Sequence, residues 1–180
     1  MDKANCRDKS MIELNDEYYM NLAIEEAKKA YEIDEIPIGA IIVSNDKIIG
    51  RGYNRKESDK DATLHAEMIA IREACQCVGG WRIPNATMYV TLEPCSMCAG
   101  ALVQARVNRL VIALKDEKTG ACGTVLNIVR YEKFNHMVDV KFGVMEDEAY
   151  YLLRTFFDNL RKRKKEKREL LYNKQANIDF

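Results

Sequence analysis

His65 and Glu67 stand two residues apart, and 26 residues separate Glu67 from the run Pro94-Cys95-Ser96-Met97-Cys98. A fold that uses these residues together must bring two distant segments to one point. The residue types say why it would. Two cysteine thiolates and one neutral imidazole give Zn²⁺ three protein ligands and leave the fourth tetrahedral position open, which separates a catalytic zinc from a closed structural one. Zinc lowers the pKa of a bound water from about 15.7 to roughly 7, and a carboxyl group beside it can carry protons during hydrolysis. On this reading His65, Cys95 and Cys98 bind one zinc ion per subunit and Glu67 is the catalytic proton carrier.

Each part is weak alone. A single Cys-x-x-Cys also serves as a redox pair or as half of a zinc knuckle, and a lone His-x-Glu carries almost no information. Together, in this order and with Pro94 in front, they match an established signature, the H-x-E and P-C-x-x-C pair of zinc nucleobase deaminases. The chain has only two histidines, His65 and His136, so one of the two fills the motif.

Hydrophobic spacing places both halves of the motif at helix starts. The His-Ala-Glu segment opens a helix that runs to about Val78 and stops at Gly79-Gly80, and Thr87 to Thr91 is a strand that delivers Pro94 and the cysteines to a helix over 96–104. The partial positive charge at a helix N-terminus favours thiolates. Upstream, Asn15 or Asp16 can cap a helix whose Met20, Ala23, Ile24, Ala27 and Tyr31 form one apolar stripe. Gly39 to Val43 and Lys47 to Gly52 read as a hairpin around Ser44-Asn45-Asp46. Downstream come a strand over Arg109 to Leu114, a short strand over Val138 to Phe142 and a long C-terminal helix. Strands separated by helices require crossover connections and an α/β layered domain, with the site where strand ends meet helix starts.

A chain of 180 residues that is 47% hydrophobic fits one domain with a core large enough to need no disulfides. No stretch approaches the 18 apolar residues of a membrane span, and Met1 to Ser10 has no apolar leader core, so a cytoplasmic protein is expected. Cys6, Cys75, Cys77 and Cys122 show no disulfide spacing and read as reduced thiols. Cys122 sits in a glycine-containing loop, where it could supply a fourth ligand and close the zinc site; its spacing pairs it with nothing, which favours a plain loop residue.

A longer set of segments resembles the bacterial TadA-type tRNA adenosine deaminases of the cytidine/deoxycytidylate deaminase superfamily. These are Ile36-Pro37-Ile38-Gly39-Ala40, Gly52-Tyr53-Asn54, Thr91 to Ala101 around the cysteines, Lys115-Asp116-Glu117-Lys118-Thr119-Gly120, Phe134-Asn135-His136 and Phe156-Phe157. The similarity covers roughly Asp16 to Arg163. It implies a three-layer α/β/α cytidine-deaminase-like fold with a central mixed five-stranded sheet, a homodimer, and zinc-dependent hydrolytic deamination of adenosine to inosine at the wobble position of a tRNA anticodon. It also implies that Asn54 and the backbone N–H of Ala66 contact the target nucleoside. The loop residues Asp116, Lys118, Thr119 and Gly120 would touch flanking nucleotides of the anticodon stem-loop. His136, Phe156 and Phe157 would line or support the groove. The first 15 residues read as a flexible extension, 16–163 as the deaminase domain, and 164–180 as a basic helix end and tail.

Charge supports an RNA substrate independently. The chain carries 28 basic and 28 acidic residues, yet Arg161 to Arg168 holds seven basic residues and one acid. Lysines and arginines next to an aromatic pair suit phosphate contact and base stacking on a splayed loop. Each feature also has a plainer reading: basic residues complement the dipole at a helix C-terminus, one of the two phenylalanines belongs to the core at helical spacing, and a loop histidine is commonly just hydrogen-bonded. Two other functions fit the zinc motif: deamination of a free base, nucleoside or nucleotide (guanine, cytosine or deoxycytidylate), and a non-catalytic RNA-binding module whose zinc has four protein ligands.

Overall fold

The computed structural model describes the backbone of residues 5–176 and the side chains of residues 16–170. Its elements run α1 (Asn5–Glu32), β1 (Gly39–Ser44), β2 (Lys47–Tyr53), α2 (Ala66–Val78), β3 (Ala86–Leu92), α3 (Ser96–Ala105), β4 (Arg109–Leu114), β5 (Asp139–Phe142) and α4 (Glu146–Ala176). The five strands form one mixed sheet in the order β2-β1-β3-β4-β5. β1 is antiparallel to both β2 and β3, whereas β3, β4 and β5 are parallel. The three-layer α/β/α expectation therefore holds.

Alternation along the central strands divides the core in two. Ala40, Ile42, Met88, Val90, Leu110 and Ile112 face α2 and α3. Ile41, Val43, Tyr89, Val111 and Ala113 face the opposite layer, where α1 supplies Met20, Ala23 and Ile24 and α4 supplies Ala149, Leu152 and Leu153. Burial on both faces is why β1 and β4 read as unbroken apolar runs instead of alternating ones. The hairpin closes on Asn45 and Asp46, both at positive φ (49° and 58°), as a two-residue turn of the type whose twist matches its strands.

Two glycines of β2 set the position of α2. A Cβ at Gly50 would overlap the carbonyl of Ala70, and one at Gly52 would overlap that of Ala66. The helix thus lies directly on the strand backbone, and its first turn is pinned. Gly79 ends the helix in the left-handed conformation (φ 69°), its N–H returning to the last turn as expected.

One expectation at the N-terminus is corrected. Neither Asn15 nor Asp16 caps α1, because the helix starts at Asn5. Asp16 is instead buried inside the helix run, where its carboxylate accepts hydrogen bonds from Arg109, Lys141 and the Tyr89 hydroxyl. A cap is a local signal, and here long-range ion pairing takes the residue. The reading of 1–15 as a flexible extension lies outside the residues whose side chains are described. At the other end, α4 continues without a break to Ala176, through most of the segment 164–180 read as a basic helix end and tail.

Candidate active site

α2 and α3 both begin at the edge of the sheet where β3 ends. His65 is the N-cap of α2 and Cys95 the N-cap of α3, and neither side chain bonds its own helix end. Both are left free to point at a shared centre. Cys98, one turn into α3, joins them and is buried.

The distances test whether zinc fits. Tetrahedral coordination with Zn–S of about 2.3 Å and Zn–N of about 2.0–2.1 Å demands a sulfur–sulfur separation of about 3.8 Å and sulfur–nitrogen separations of about 3.6 Å. The Cys95 and Cys98 sulfurs are 3.8 Å apart, and His65 Nδ1 lies 3.7 Å from Cys95 and 3.6 Å from Cys98. The donor set fits a tetrahedral zinc with one position left over. Among the described residues these three are the cluster able to hold a metal, and Cys122 is not part of it. Its thiol instead faces the Pro94 carbonyl at 3.9 Å.

The three donors hold their protons unequally. Hydrogen bonds from Cys98 and His65 hold the Cys95 thiol down to about 3, a thiolate at neutral pH. The same bond to Cys95, together with burial, pushes Cys98 up. His65 is raised, chiefly by its bond to Cys95. Glu67 is fully enclosed at the base of the cluster, and burial pushes its carboxyl above the ordinary range. A carboxyl that holds a proton more tightly than usual is one that can deliver it.

Asn54 is buried, and its Oδ1 accepts the N–H of Ala66 at 3.0 Å. The two groups expected to meet the nucleoside therefore meet each other at the mouth of α2. Asp116 organises the loop that follows β4: its Oδ1 accepts the N–H groups of Lys118 and Thr119, and its backbone carbonyl accepts that of Gly120. The Ala121 N–H bonds the Pro94 carbonyl at 2.9 Å, so Asp116 to Gly120 are held beside the cysteines, with Lys118 and Thr119 exposed.

The remaining expected residues lie elsewhere. His136 Nε2 is 2.6 Å from the carbonyl of Val107, which precedes β4 and so lies at the opposite sheet edge, about 20 Å from its end at 3.3 Å per residue. Phe156 is buried edge-on against Tyr31 of α1, and Phe157 is half-buried against Phe156. Neither His136 nor Phe156 is brought to the cluster of its own chain.

Two buried carboxylates at the site had no motif to reveal them. Glu93 accepts the N–H groups of Cys122 (2.9 Å), Thr124 (3.1 Å) and Asp116 (3.2 Å) as well as the Thr124 hydroxyl. Glu35 accepts the N–H of Ser58 at 2.6 Å, tying the loop that leads to His65. Their only sequence signal is a glutamate among apolar or proline neighbours, Leu92-Glu93-Pro94 and Glu35-Ile36-Pro37.

The family model for the cytidine and deoxycytidylate deaminase zinc-binding region matches residues 13–114. A tRNA-specific adenosine deaminase of Bacillus subtilis (strain 168) is 50% identical over 156 residues, covering 87% of this chain and 97% of that protein. The protein of the same name from Haemophilus influenzae is 43% identical over 157 residues, 87% of this chain and 91% of its own. A solved structure from "Biochemical and Structural Studies of A-to-I Editing by tRNA:A34 Deaminases at the Wobble Position of Transfer RNA" superposes with a TM-score of 0.72 at 41% identity, covering 75% of this chain and 98% of that one.

Proposed function

The chain belongs to the tRNA-specific adenosine deaminases of the cytidine and deoxycytidylate deaminase zinc-binding family, and from that premise we propose that it hydrolyses adenosine to inosine at the wobble position of a tRNA anticodon. The observation that carries the reading is the three-donor cluster at tetrahedral separations with a buried glutamate beside it. Three donors leave room for water, which a four-ligand structural site would not.

His65, Cys95 and Cys98 hold the zinc, which when bound supplies Lewis-acid activation of water near neutral pH. Glu67 moves the protons. Its carboxyl takes a proton from the attacking water and gives it to N1 of the adenine as the water oxygen bonds to C6; it then takes the proton of the new C6 hydroxyl and passes it to the 6-amino group, which leaves as ammonia as the C6–N bond breaks and the C6 carbonyl forms. Asn54 and the Ala66 N–H, already paired, orient the nucleoside. Asp116, Lys118, Thr119 and Gly120 meet the flanking nucleotides. An anticodon loop is a favourable source of the base because its nucleotides unstack at small cost.

A homodimer is part of the proposal. Val125, Leu126, Tyr131, Phe134 and Met137 are exposed along one segment, an apolar surface that a second copy would cover. His136 lies in that segment, which would bring it to the subunit interface and not to the cluster of its own chain. No described helix is long and apolar enough to cross a membrane, and a tRNA substrate supports the reading of a cytoplasmic protein.

The test is incubation of the zinc-loaded protein with anticodon stem-loops bearing A, C or G at the wobble position, and with free adenosine, cytidine and guanine. Inosine from the A-bearing stem-loop alone is expected. Turnover of a free base or nucleoside with none of the stem-loop would overturn the reading, and light scattering at a monomer mass would overturn the dimer.

A further inference from the structure

The basic second half of α4 has no part in the site just described. We propose that Arg161, Lys164, Lys165 and Arg168 form a phosphate-binding arm that grips the double-helical stem of the RNA whose loop nucleotide occupies the active site. The proposal rests on the tRNA reading above.

These four residues are spaced i, i+3, i+4 and i+7, so they share one face of the helix. The opposite side is identified by its contacts. Phe156 is buried against Tyr31, and Arg163 pairs with Asp34 at 2.8 Å. At about 100° per residue, the four basic side chains point away from that contact face. Every residue from 161 to 170 is exposed. Arg161 pairs with Asp158 and Lys165 stands 4.0 Å from Glu169, while Lys164 and Arg168 have no carboxylate within 4.0 Å among the described residues.

The plainer explanation, that the charges offset the helix dipole, does not reach them. That effect fades within the last turn, and Arg161 lies 15 residues before the helix end at Ala176. Neither do they serve packing, being exposed. Their position points to the substrate. The amide of Asn159 bonds the Tyr31 hydroxyl at 2.8 Å, Arg163 reaches Asp34, and the adjacent Glu35 holds Ser58 of the loop that leads to His65. The arm leaves the domain at the same sheet edge as the metal cluster, and at 1.5 Å per residue it extends about 20 Å beyond Arg163.

The composition selects the kind of RNA contact. No aromatic residue lies among the cations between 161 and 171, the next along the helix being Tyr172, so the four cations carry no ring between them on which successive unstacked bases could stack. A row of cations on a rigid rod suits the phosphate rows of a duplex, in contacts indifferent to sequence.

The experiment compares the parent with R161E/K164E/K165E/R168E and with the neutral version carrying Gln at the same positions. Each is assayed on a full-length tRNA transcript with adenine at the wobble position across a salt series. The expected result for the charge-reversed protein is a KM raised about tenfold or more at low salt, with kcat and zinc content unchanged and a shallower slope of log(kcat/KM) against log[salt]. The neutral version should show the same changes, smaller in size. A KM and salt slope equal to the parent's would overturn the proposal. If the parent itself makes no inosine, the tRNA reading fails separately. The arm is then judged by direct binding of labelled duplex RNA, where equal affinity of parent and charge-reversed protein overturns it.

Discussion

Asp16 and Arg109, 93 residues apart, face each other through two parallel hydrogen bonds of 2.7 Å each. The pair joins α1 to the first residue of β4, and Lys141 of β5 adds a third bond at 3.1 Å. It locks one helical layer to the parallel half of the sheet.

Asp16→Asn should lower stability at neutral pH by about 3 kcal/mol, since it removes the negative charge that two cations share and puts an amide donor in place of one of the two acceptor oxygens. Burial alone would raise the Asp16 carboxyl, but the bonds from Arg109 and Lys141 and the Arg109 charge outweigh it and hold it below the ordinary range. A group depressed in the folded state binds fewer protons folded than unfolded. Its stabilisation is therefore complete above the ordinary carboxylate pKa of about 4 and is lost as pH falls through the lowered folded value. Urea melts at pH 7 and at successively lower pH should show the parent and variant converging in acid; a constant gap would refute the assignment.

Glu67 and Cys98 should separate under substitution. Glu67→Gln keeps the shape and removes a charge that burial opposes, so folding and zinc content stay at parental levels while kcat falls by about 10²–10⁴. Cys98→Ala removes a donor from a three-donor set, and zinc falls with activity. Metal analysis beside single-turnover assays checks both. A zinc-replete, fully active Glu67→Gln protein would remove Glu67 from the chemistry.

Gly52 is predicted to matter through distance alone. In Gly52→Ala the new Cβ overlaps the Ala66 carbonyl, so α2 must lift from β2 and carry His65 with it. The cost should be about 1–3 kcal/mol of stability, with weaker zinc retention against a chelator. Gly80→Ala is the control, because nothing lies within 4 Å of its added Cβ. Equal zinc retention in the two variants would argue against the contact.

What could be read from the sequence and what could not divide by range. β4 is observed at Arg109–Leu114, as its apolar run predicts, and α2 ends at Gly79, because burial pattern and glycine caps are encoded locally. The His65, Cys95 and Cys98 set was legible because metal chemistry restricts both residue type and spacing. Asp16 was misread as a cap since its partners are 93 and 125 residues away. Glu93 was invisible as a hub for the same reason, its bonds reaching 23 to 31 residues forward. The position of His136 at the far edge follows from how the segment after Cys122 travels beneath β4, which no short pattern encodes.

Glu93 yields the last prediction. It sits two residues before Cys95, yet all its side-chain bonds go to the loop after β4, where it gathers the amides of Asp116, Cys122 and Thr124 around one buried carboxylate. Glu93→Ala would leave those donors without an acceptor, at about 1–3 kcal/mol for each that water does not reach. The loop should open while Cys95 stays at the head of α3. Zinc is then retained and the loss falls on KM for the stem-loop, because Lys118 and Thr119 lose their placement and Glu67 does not. Hydrogen exchange should show faster exchange at the amides of Asp116, Cys122 and Thr124, with His65 to Ala70 unaffected. Glu93→Gln, which keeps one acceptor oxygen, should recover part of both. Unchanged protection at those three amides in Glu93→Ala would mean that the loop is held by its own Asp116 turn and not by Glu93.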